Sequence, residues 1–551
     1  MIEAEVHLSL HNFLRSQAGF PSWPHHLTMA RLVARALRVG RSALIQVGAA
    51  CGFQGRYRTS FVASALMWQG PVIIVATPCV QQRLLRVEIP RLQEWLKIDK
   101  SIRTGDNFPN SEFQGLFVTS PQAWLAAQLA NKEAFPKNIP TIIDGVDDLE
   151  DWVTEQLTVS LTAQDWEELM LACPKQVDRI RSVRIELTRE LFQHPVNPHE
   201  CYLISPKEEE TLIRLFSVLN LDNLPDTWRN FYQHYQQQEV QANNLQVNNL
   251  QANNLQANNL QANNLQANNL QANNLQPKKF VSPLVWANII RRQGSFSLHS
   301  APVEPANILS EIWERQPVVL IGSAVEAETE APIFRQRMGL GDLTCLKFSS
   351  DSQTEAIQLY VPLQFPLPNT PEFQGGFINK VRTLLCLSAT SPGLTVILVG
   401  DVPLKSQVGT ILASEFGSRV QVEKTCLEEN GVLVSGWEFW REHQSVLPAP
   451  ELLIIATLPL PSLENPLVAG RVTYYKKRHL DWFRLYLLPT ALKELQRAIA
   501  PVRENQGIVA LLDSRVINRS YGADVLSVLS PSARVNYLDP NLFSRKEEIG
   551  D

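Results

Sequence analysis

Short, nearly continuous apolar runs alternate along this chain with stretches of helical period. Leu27, Ala30, Leu32, Val33, Ala36 and Leu37 fall at helical spacing and predict an amphipathic helix over residues 27–39. Ala43-Leu-Ile-Gln-Val47 then reads as a buried strand, followed by a glycine-bearing turn and a second helix from Ser60 to Trp68. Pro71-Val-Ile-Ile-Val-Ala-Thr77-Pro78, Leu116-Phe-Val-Thr119 and Thr141-Ile-Ile143 continue the alternation. Strands without an exposed face, separated by helices, predict a parallel sheet covered on both sides. The pattern returns in the second half at Pro317–Ile321, Leu394–Val399, Gly431–Val434, Leu452–Ile455 and Gly507–Leu512. Between the halves, residues 150–236 are rich in Glu, Gln, Arg and Trp, predict helices and give no strong strand signal.

A tandem repeat separates this region from the second half. Seven pentads from Gln241 to Leu275, nearly all Gln-Ala-Asn-Asn-Leu, have a period that fits neither a helix nor a strand. Each Leu would turn about 140° from the last on a helix, so no apolar face forms. Pentapeptide β-helices place Ala two residues before Leu, whereas here it stands three before. Asn and Gln favour solvated turns, so residues 237–277 read as a flexible linker.

Composition adds limits. The chain has 551 residues with 44% hydrophobic content, enough for several domains with large cores. A net charge of −5 argues against a surface that is basic throughout, but a local groove remains compatible with nucleic acid. Arg31, Arg35, Arg38, Arg41, Arg56 and Arg58 lie in a segment, residues 6–87, that contains no acid. Such a bias reads either as a solvated helix face or as part of such a groove. Seven cysteines, Cys51, Cys79, Cys173, Cys201, Cys345, Cys386 and Cys426, are scattered without a C-x-x-C pair, as expected of reduced thiols. No apolar run is long enough to span a membrane and the N-terminus does not read as a signal peptide, so the expected location is the cytoplasm.

Two strand ends carry candidate chemistry. Parallel sheets hold phosphates where a strand, a glycine turn and a helix meet. Val47-Gly48-Ala-Ala-Cys51-Gly52-Phe53-Gln54 has that form, without the Lys and Ser/Thr that a P-loop needs. Thr141-Ile-Ile-Asp144-Gly145-Val146-Asp147-Asp148 is the second; its acids are candidates for metal binding or for capping the helix that starts at Leu149. Near the C-terminus, Tyr486-Leu-Leu-Pro489-Thr-Ala491-Leu-Lys-Glu-Leu-Gln496-Arg-Ala-Ile-Ala500-Pro-Val-Arg503 precedes the strand Gly507–Leu512, then Asp513 and Arg515, which read as an interlobe or a local ion pair.

This last segment resembles the final motor motif of DinG/XPD-type superfamily 2 DNA helicases, Q-x-x-G-R-x-x-R. Gln496 and Arg503 match it, and Ala500 stands at the inner arginine. Other marks follow in family order. Gly48 and Gly52 match the glycines of G-T-G-T-G-K-S, with Phe53 and Gln54 at Lys and Ser. Asp144 matches the first residue of D-E-A-H, with Gly145 at the Glu and Asp147 at the His. Phe20-Pro-Ser-Trp23-Pro24-His25-His26 is similar to R-P-x-Q, Thr77-Pro78 to the T-P motif, and Ser323-Ala324 to T-S-A-T. Phe439-Trp440 is similar to F-W-E-G, and Leu458-Pro-Leu-Pro461 with Asn465-Pro466 to L-P-F-x-x-P-x-D-P.

The resemblance implies an α/β fold of two RecA-like parallel-sheet lobes of the P-loop NTPase type, with a helical insertion and a low-complexity linker. It divides the chain into lobe 1 (1–149), insertion (150–236), linker (237–277), a return to lobe 1 (278–326) and lobe 2 (327–551). It implies ATP bound at Gly48 and Gly52, Mg²⁺ at Asp144, Gln496 and Arg503 acting with them in hydrolysis, and single-stranded DNA as partner. Residues 80–143 contain no cysteine, so the cluster of the iron–sulfur relatives is not expected. With the P-loop Lys and Ser, the catalytic Glu and the inner Arg all replaced, the expectation is a DNA-associated protein whose ATP binding and hydrolysis are weakened or lost. The alternatives are an active helicase with relocated charges (Arg56 or Arg58 for the Lys, Asp147 or Asp148 for the Glu, Arg497 for the inner Arg) and a scaffold for protein partners. Pro501 lacks the amide to continue the ladder and argues against a helix through Ala500.

Overall fold

The computed structural model describes residues 2–16, 23–129, 135–136, 138–219, 223–235, 283–349, 355–389 and 393–538. The pentad repeat and Phe20–Ser22 of the N-terminal motif lie outside the described residues. Two seven-stranded sheets form the two lobes. In the first, the strands run in the order Thr344–Lys347, Ala43–Gln46, Val318–Gly322, Thr141–Asp144, Val72–Val75, Leu116–Thr119, Ile102–Thr104, all parallel. In the second the order is Val420–Val422, Val432–Ser435, Thr395–Leu398, Leu452–Ile455, Ile508–Leu511, Ile357–Tyr360, Ser532–Val535, again parallel.

The central strands are buried along their whole length because alternate residues feed two different cores. In lobe 1, Ile45, Ile74, Ile142 and Ile321 pack on one face, and Leu44, Ile73, Ile143 and Leu320 on the other. In lobe 2, Val396, Leu453 and Val509 face one helical layer, and Ile397, Ile454 and Ala510 face the other.

The third body departs from the helical insertion that the pattern predicted. Its helices Ala163–Ala172, Val177–Phe192 and Pro206–Phe216 pack on a four-stranded antiparallel sheet, ordered Val159–Leu161, Ser295–Pro302, Pro283–Ile290, Cys201–Leu203. Two of these strands have three residues, too few for a two-residue period to register. The other two form a long hairpin, residues 283–302, that the boundaries drawn from sequence assigned to lobe 1. Its register pairs it with 159–161 and 201–203 instead, and Trp166, Trp228 and Phe296 join the strands to the helices. Likewise Thr344–Lys347, drawn as lobe 2, pairs with Ala43–Gln46 and closes the edge of lobe 1.

Helix Leu488–Glu504 runs through Pro501 without a break. Its apolar stripe, Leu495, Ala498, Ile499 and Val502, is buried in the lobe 2 core and holds the helix where local propensity would end it.

Candidate functional site between the lobes

Strand Ala43–Gln46 ends at Val47, and Gly48 takes φ +84°, open to glycine and strained for other residues. Helix Ala49–Gln54 follows and stops at Gly55, also left-handed. Gly52 is required by a close approach, since a Cβ there would lie 2.1 Å from Cβ of Ser323. The phosphate-loop turn thus rests directly on the Ser-Ala motif at the end of the neighbouring strand.

Asp144, at the end of Thr141–Asp144, is 3% exposed. The Tyr57 hydroxyl donates to Oδ1, and Arg58 Nε donates to Oδ2 at 3.0 Å. Both carboxylate oxygens therefore have protein donors. Burial and the neighbouring carboxylate push the Tyr57 phenol well above its ordinary range. Burial opposes the charge of Arg58, but Tyr57 and Asp144 outweigh it and raise its pKa.

Gly145, at the position of the family's catalytic Glu, is left-handed at φ +85°. The two following acids do not cap the next helix. Asp147 accepts from Ser323 N at 2.8 Å, Ser323 Oγ at 3.1 Å and Ala324 N at 2.5 Å, so it ties one strand end to the other. Asp148 reaches lobe 2 and pairs with Arg497 at 2.6 Å.

Gln496 and Arg503 lie on helix Leu488–Glu504, which faces the phosphate-loop turn from lobe 2. A cavity of about 470 Å³ is lined by Gly48, Ala49, Lys347, Phe348, Gln496 and Arg503. Arg503 is 3% exposed, and its donors go to the backbone carbonyls of Glu355, Leu529, Ser530 and Pro531 at 2.7–3.1 Å. Burial lowers its pKa to about 10. Four carbonyls hold this guanidinium within lobe 2, so it is spent on structure. A second cavity of about 640 Å³ holds Gly52, Phe53, Arg58, Asp147, Asp148, Arg441, Arg497 and Ala500 along its walls. Asp144 with Gly52, and Gly48 with Gln496 and Arg503, are thus brought to one cleft.

Sequence reasoning missed the residues that join the lobes. Glu150 of lobe 1 is forked between Arg337 and Arg471, the latter from lobe 2 helix Pro466–Lys477 at 2.5 Å. The Tyr486 ring lies under both guanidiniums, 4.4 Å from Arg471 and 5.8 Å from Arg337. Burial would raise the Glu150 carboxyl, but Arg337 and Arg471 outweigh it and hold it far below the usual range. Lys493 Nζ adds a bond to the Asp147 carbonyl at 3.1 Å. Nothing in the local pattern singles out Glu150, because its partners lie 187 and 321 residues away. The remaining family marks act within lobes: Trp440 Nε1 bonds the Ala498 carbonyl at 3.1 Å, and Arg515 pairs locally with Asp513 at 2.6 Å. His26 is buried with Nδ1 2.9 Å from the Ser60 hydroxyl.

Comparisons with known proteins agree with this architecture. A Helicase C-terminal domain model matches residues 448–532, which include helix Leu488–Glu504. The chain is similar to the "ATP-dependent DNA helicase YoaA" of Haemophilus influenzae, 25% identical over 261 residues, covering 44% of this chain and 40% of that protein. It is also similar to the "3'-5' exonuclease DinG" of Bacillus subtilis, 23% identical over 287 residues, covering 47% and 30%. The matches thus span two fifths or less of these relatives' length. Among solved structures, an XPD helicase superposes with TM-score 0.54 at 11% identity, covering 94% of this chain and all of that one. Xpd4 of S. tokodaii gives 0.53 at 13%, covering 91% and 98%. The two parallel-sheet lobes, the ordered strand-end motifs and these similarities together make the chain a member of the DinG/XPD-type superfamily 2 helicase family.

Proposed function

We propose that this protein is a DNA-associated member of its family whose ATP binding and hydrolysis are weakened or lost, and which acts by holding single-stranded DNA or a protein partner rather than as an ordinary motor. One observation carries the reading: Tyr57 and Arg58 engage both oxygens of Asp144, the carboxylate that in the family holds Mg²⁺. A hydrated Mg²⁺ needs open carboxylate oxygens, and a guanidinium on the same group opposes a second cation. Phe53 offers no charge to a triphosphate, and Arg503 is held by four carbonyls. The residues present therefore fit Mg²⁺–ATP poorly, and no catalytic step is assigned through it. A cytoplasmic location and a role in replication or repair accompany this reading as proposals.

The test is phosphate release by the purified full chain with and without single-stranded DNA. The expected result is no DNA-stimulated release, with DNA binding that weakens steeply as salt rises. Stimulated release that Asp144→Asn abolishes would overturn it. The second reading, an active helicase with relocated charges, rests on Arg58 and Arg497 lining the 640 Å³ cavity. It requires both to leave their acids for phosphate, and predicts that Arg497→Ala abolishes release.

A further inference from the structure

We propose that the turn joining helix Pro466–Lys477 to helix Leu488–Glu504 is a platform for single-stranded nucleic acid, with bases stacking at Trp482 and Phe483 and phosphates held by the flanking cations. This rests on the DNA-associated reading and names a surface away from the phosphate-loop turn. Residues 476–484 carry Lys476, Lys477, Arg478 and Arg484 against a single acid, Asp481, and all four cations are exposed. Asp481 is turned inward to the backbone, where its Oδ1 accepts the amides of Phe483 at 3.1 Å and Arg484 at 3.0 Å. Its contact with the Arg484 side chain is loose, at 3.9 Å. Glu304 balances Arg478 only at 3.6 Å.

Between these charges, Trp482 and Phe483 are half-buried. Their inner sides pack on Val468, Val472 and Leu487, which fixes them without covering them. Lys476 Nζ lies 5.1 Å from the Trp482 ring, and Phe483 lies 5.0 Å from the Tyr521 ring. Fixed aromatic rings interleaved with free cations match a strand that presents both base faces and phosphates. A duplex hides its base faces, and an acidic peptide has no use for two adjacent rings without an apolar pocket. Both are therefore poorer fits than an unpaired strand.

The test is fluorescence anisotropy of labelled oligothymidine with the full chain, over a salt series. Trp482→Leu is expected to weaken binding about tenfold. The exposed double variant Lys477→Glu with Arg484→Glu is expected to weaken it at least as much, and to reduce the log–log salt slope by about one. Arg31→Glu with Arg35→Glu, on the exposed face of helix His26–Val39, is expected to leave binding unchanged. If the wild type binds and the turn variants bind equally well, the platform is wrong while the DNA-associated reading stands. If the wild type binds no oligonucleotide, that reading falls and the platform with it. Preference for a duplex or for a polyglutamate peptide over oligothymidine overturns the platform as well.

Discussion

Replacing Glu150 with glutamine keeps the shape of its side chain and removes the charge on which two arginines from different lobes converge. Arg337 and Arg471 then share a site with no counter-charge, under a Tyr486 ring that limits the room for water. Removing one partner of a buried ion pair costs about 3–5 kcal/mol. The three side chains are 14%, 14% and 17% exposed, so solvent screening places the expected cost at the lower end, about 3 kcal/mol. That corresponds to roughly a 150-fold shift in the equilibrium between joined and separated lobes. The exposed thiols Cys79 in lobe 1 and Cys386 in lobe 2 accept a donor–acceptor dye pair once exposed Cys426 is made serine. Loss of interlobe energy transfer is then followed against urea.

Glu150→Gln should separate the lobes at lower urea, and Arg471→Met in the same background should add less than it does alone, because the two share one interaction. The pH dependence follows from the depressed Glu150 carboxyl. A carboxyl lowered on folding contributes stability that is present above its unfolded pKa of about 4.3 and is lost as pH falls through the folded value. Wild-type closure should therefore persist from neutral pH through about pH 4 and weaken below it, while the glutamine variant loses that acid dependence. A shift under about 0.5 kcal/mol for Glu150→Gln would refute the claim that this cluster joins the lobes.

Three further outcomes test the cleft. Gly52→Ala puts a methyl 2.1 Å from Cβ of Ser323 and should destabilise lobe 1 by about 1–3 kcal/mol in thermal unfolding; Ser323→Gly should recover part of the loss. Tyr57→Phe leaves Asp144 Oδ1 buried without the hydroxyl and should cost about 1–3 kcal/mol by urea unfolding, with no gain in phosphate release. Arg503→Met strands four carbonyls and should lower lobe 2 stability by about 2–4 kcal/mol, visible as earlier loss of amide protection around residues 529–531 in hydrogen exchange.

The lobes were legible in sequence because a strand buried on both faces, such as Val72–Val75 or Leu452–Ile455, leaves an unbroken apolar run. Edge strands such as Thr344–Lys347 and Ser532–Val535 are only partly buried, carry polar residues and gave no such run. The insertion sheet was illegible for another reason, since Val159–Leu161 and Cys201–Leu203 find their partners in the hairpin beyond the pentad repeat. Within the cleft, motif spacing located Asp144, Gly48, Gly52, Gln496 and Arg503, but not what each side chain touches. Tyr57 and Arg58 gave no motif signal for their bonds to Asp144, which depend on the turn at Gly55 bringing helix Arg58–Met67 back under the strand ends.

The replacements in the motor motifs are connected by charge rather than scattered. In a cleft that binds Mg²⁺–ATP, a metal and a triphosphate link acids of one lobe to cations of the other, and that link breaks with each hydrolysis. Here Phe53 removes the lysine while Arg58, one turn on, neutralises Asp144 directly. Ala500 removes the inner arginine while Arg497, one turn back on the same helix, neutralises Asp148. Glu150 and Arg471 then join the lobes without a ligand. Each acid that the missing ligand would have met has a protein partner, so ATP would have to break about three ion pairs to enter, with no free cation gained in return. Restoring Phe53→Lys alone is therefore expected to leave phosphate release at its basal rate, because the new ammonium would face Arg58 and Arg497 without a metal site at Asp144. Release that rises on that single change would mean the protein-to-protein pairs yield easily, and would return the cleft to a motor.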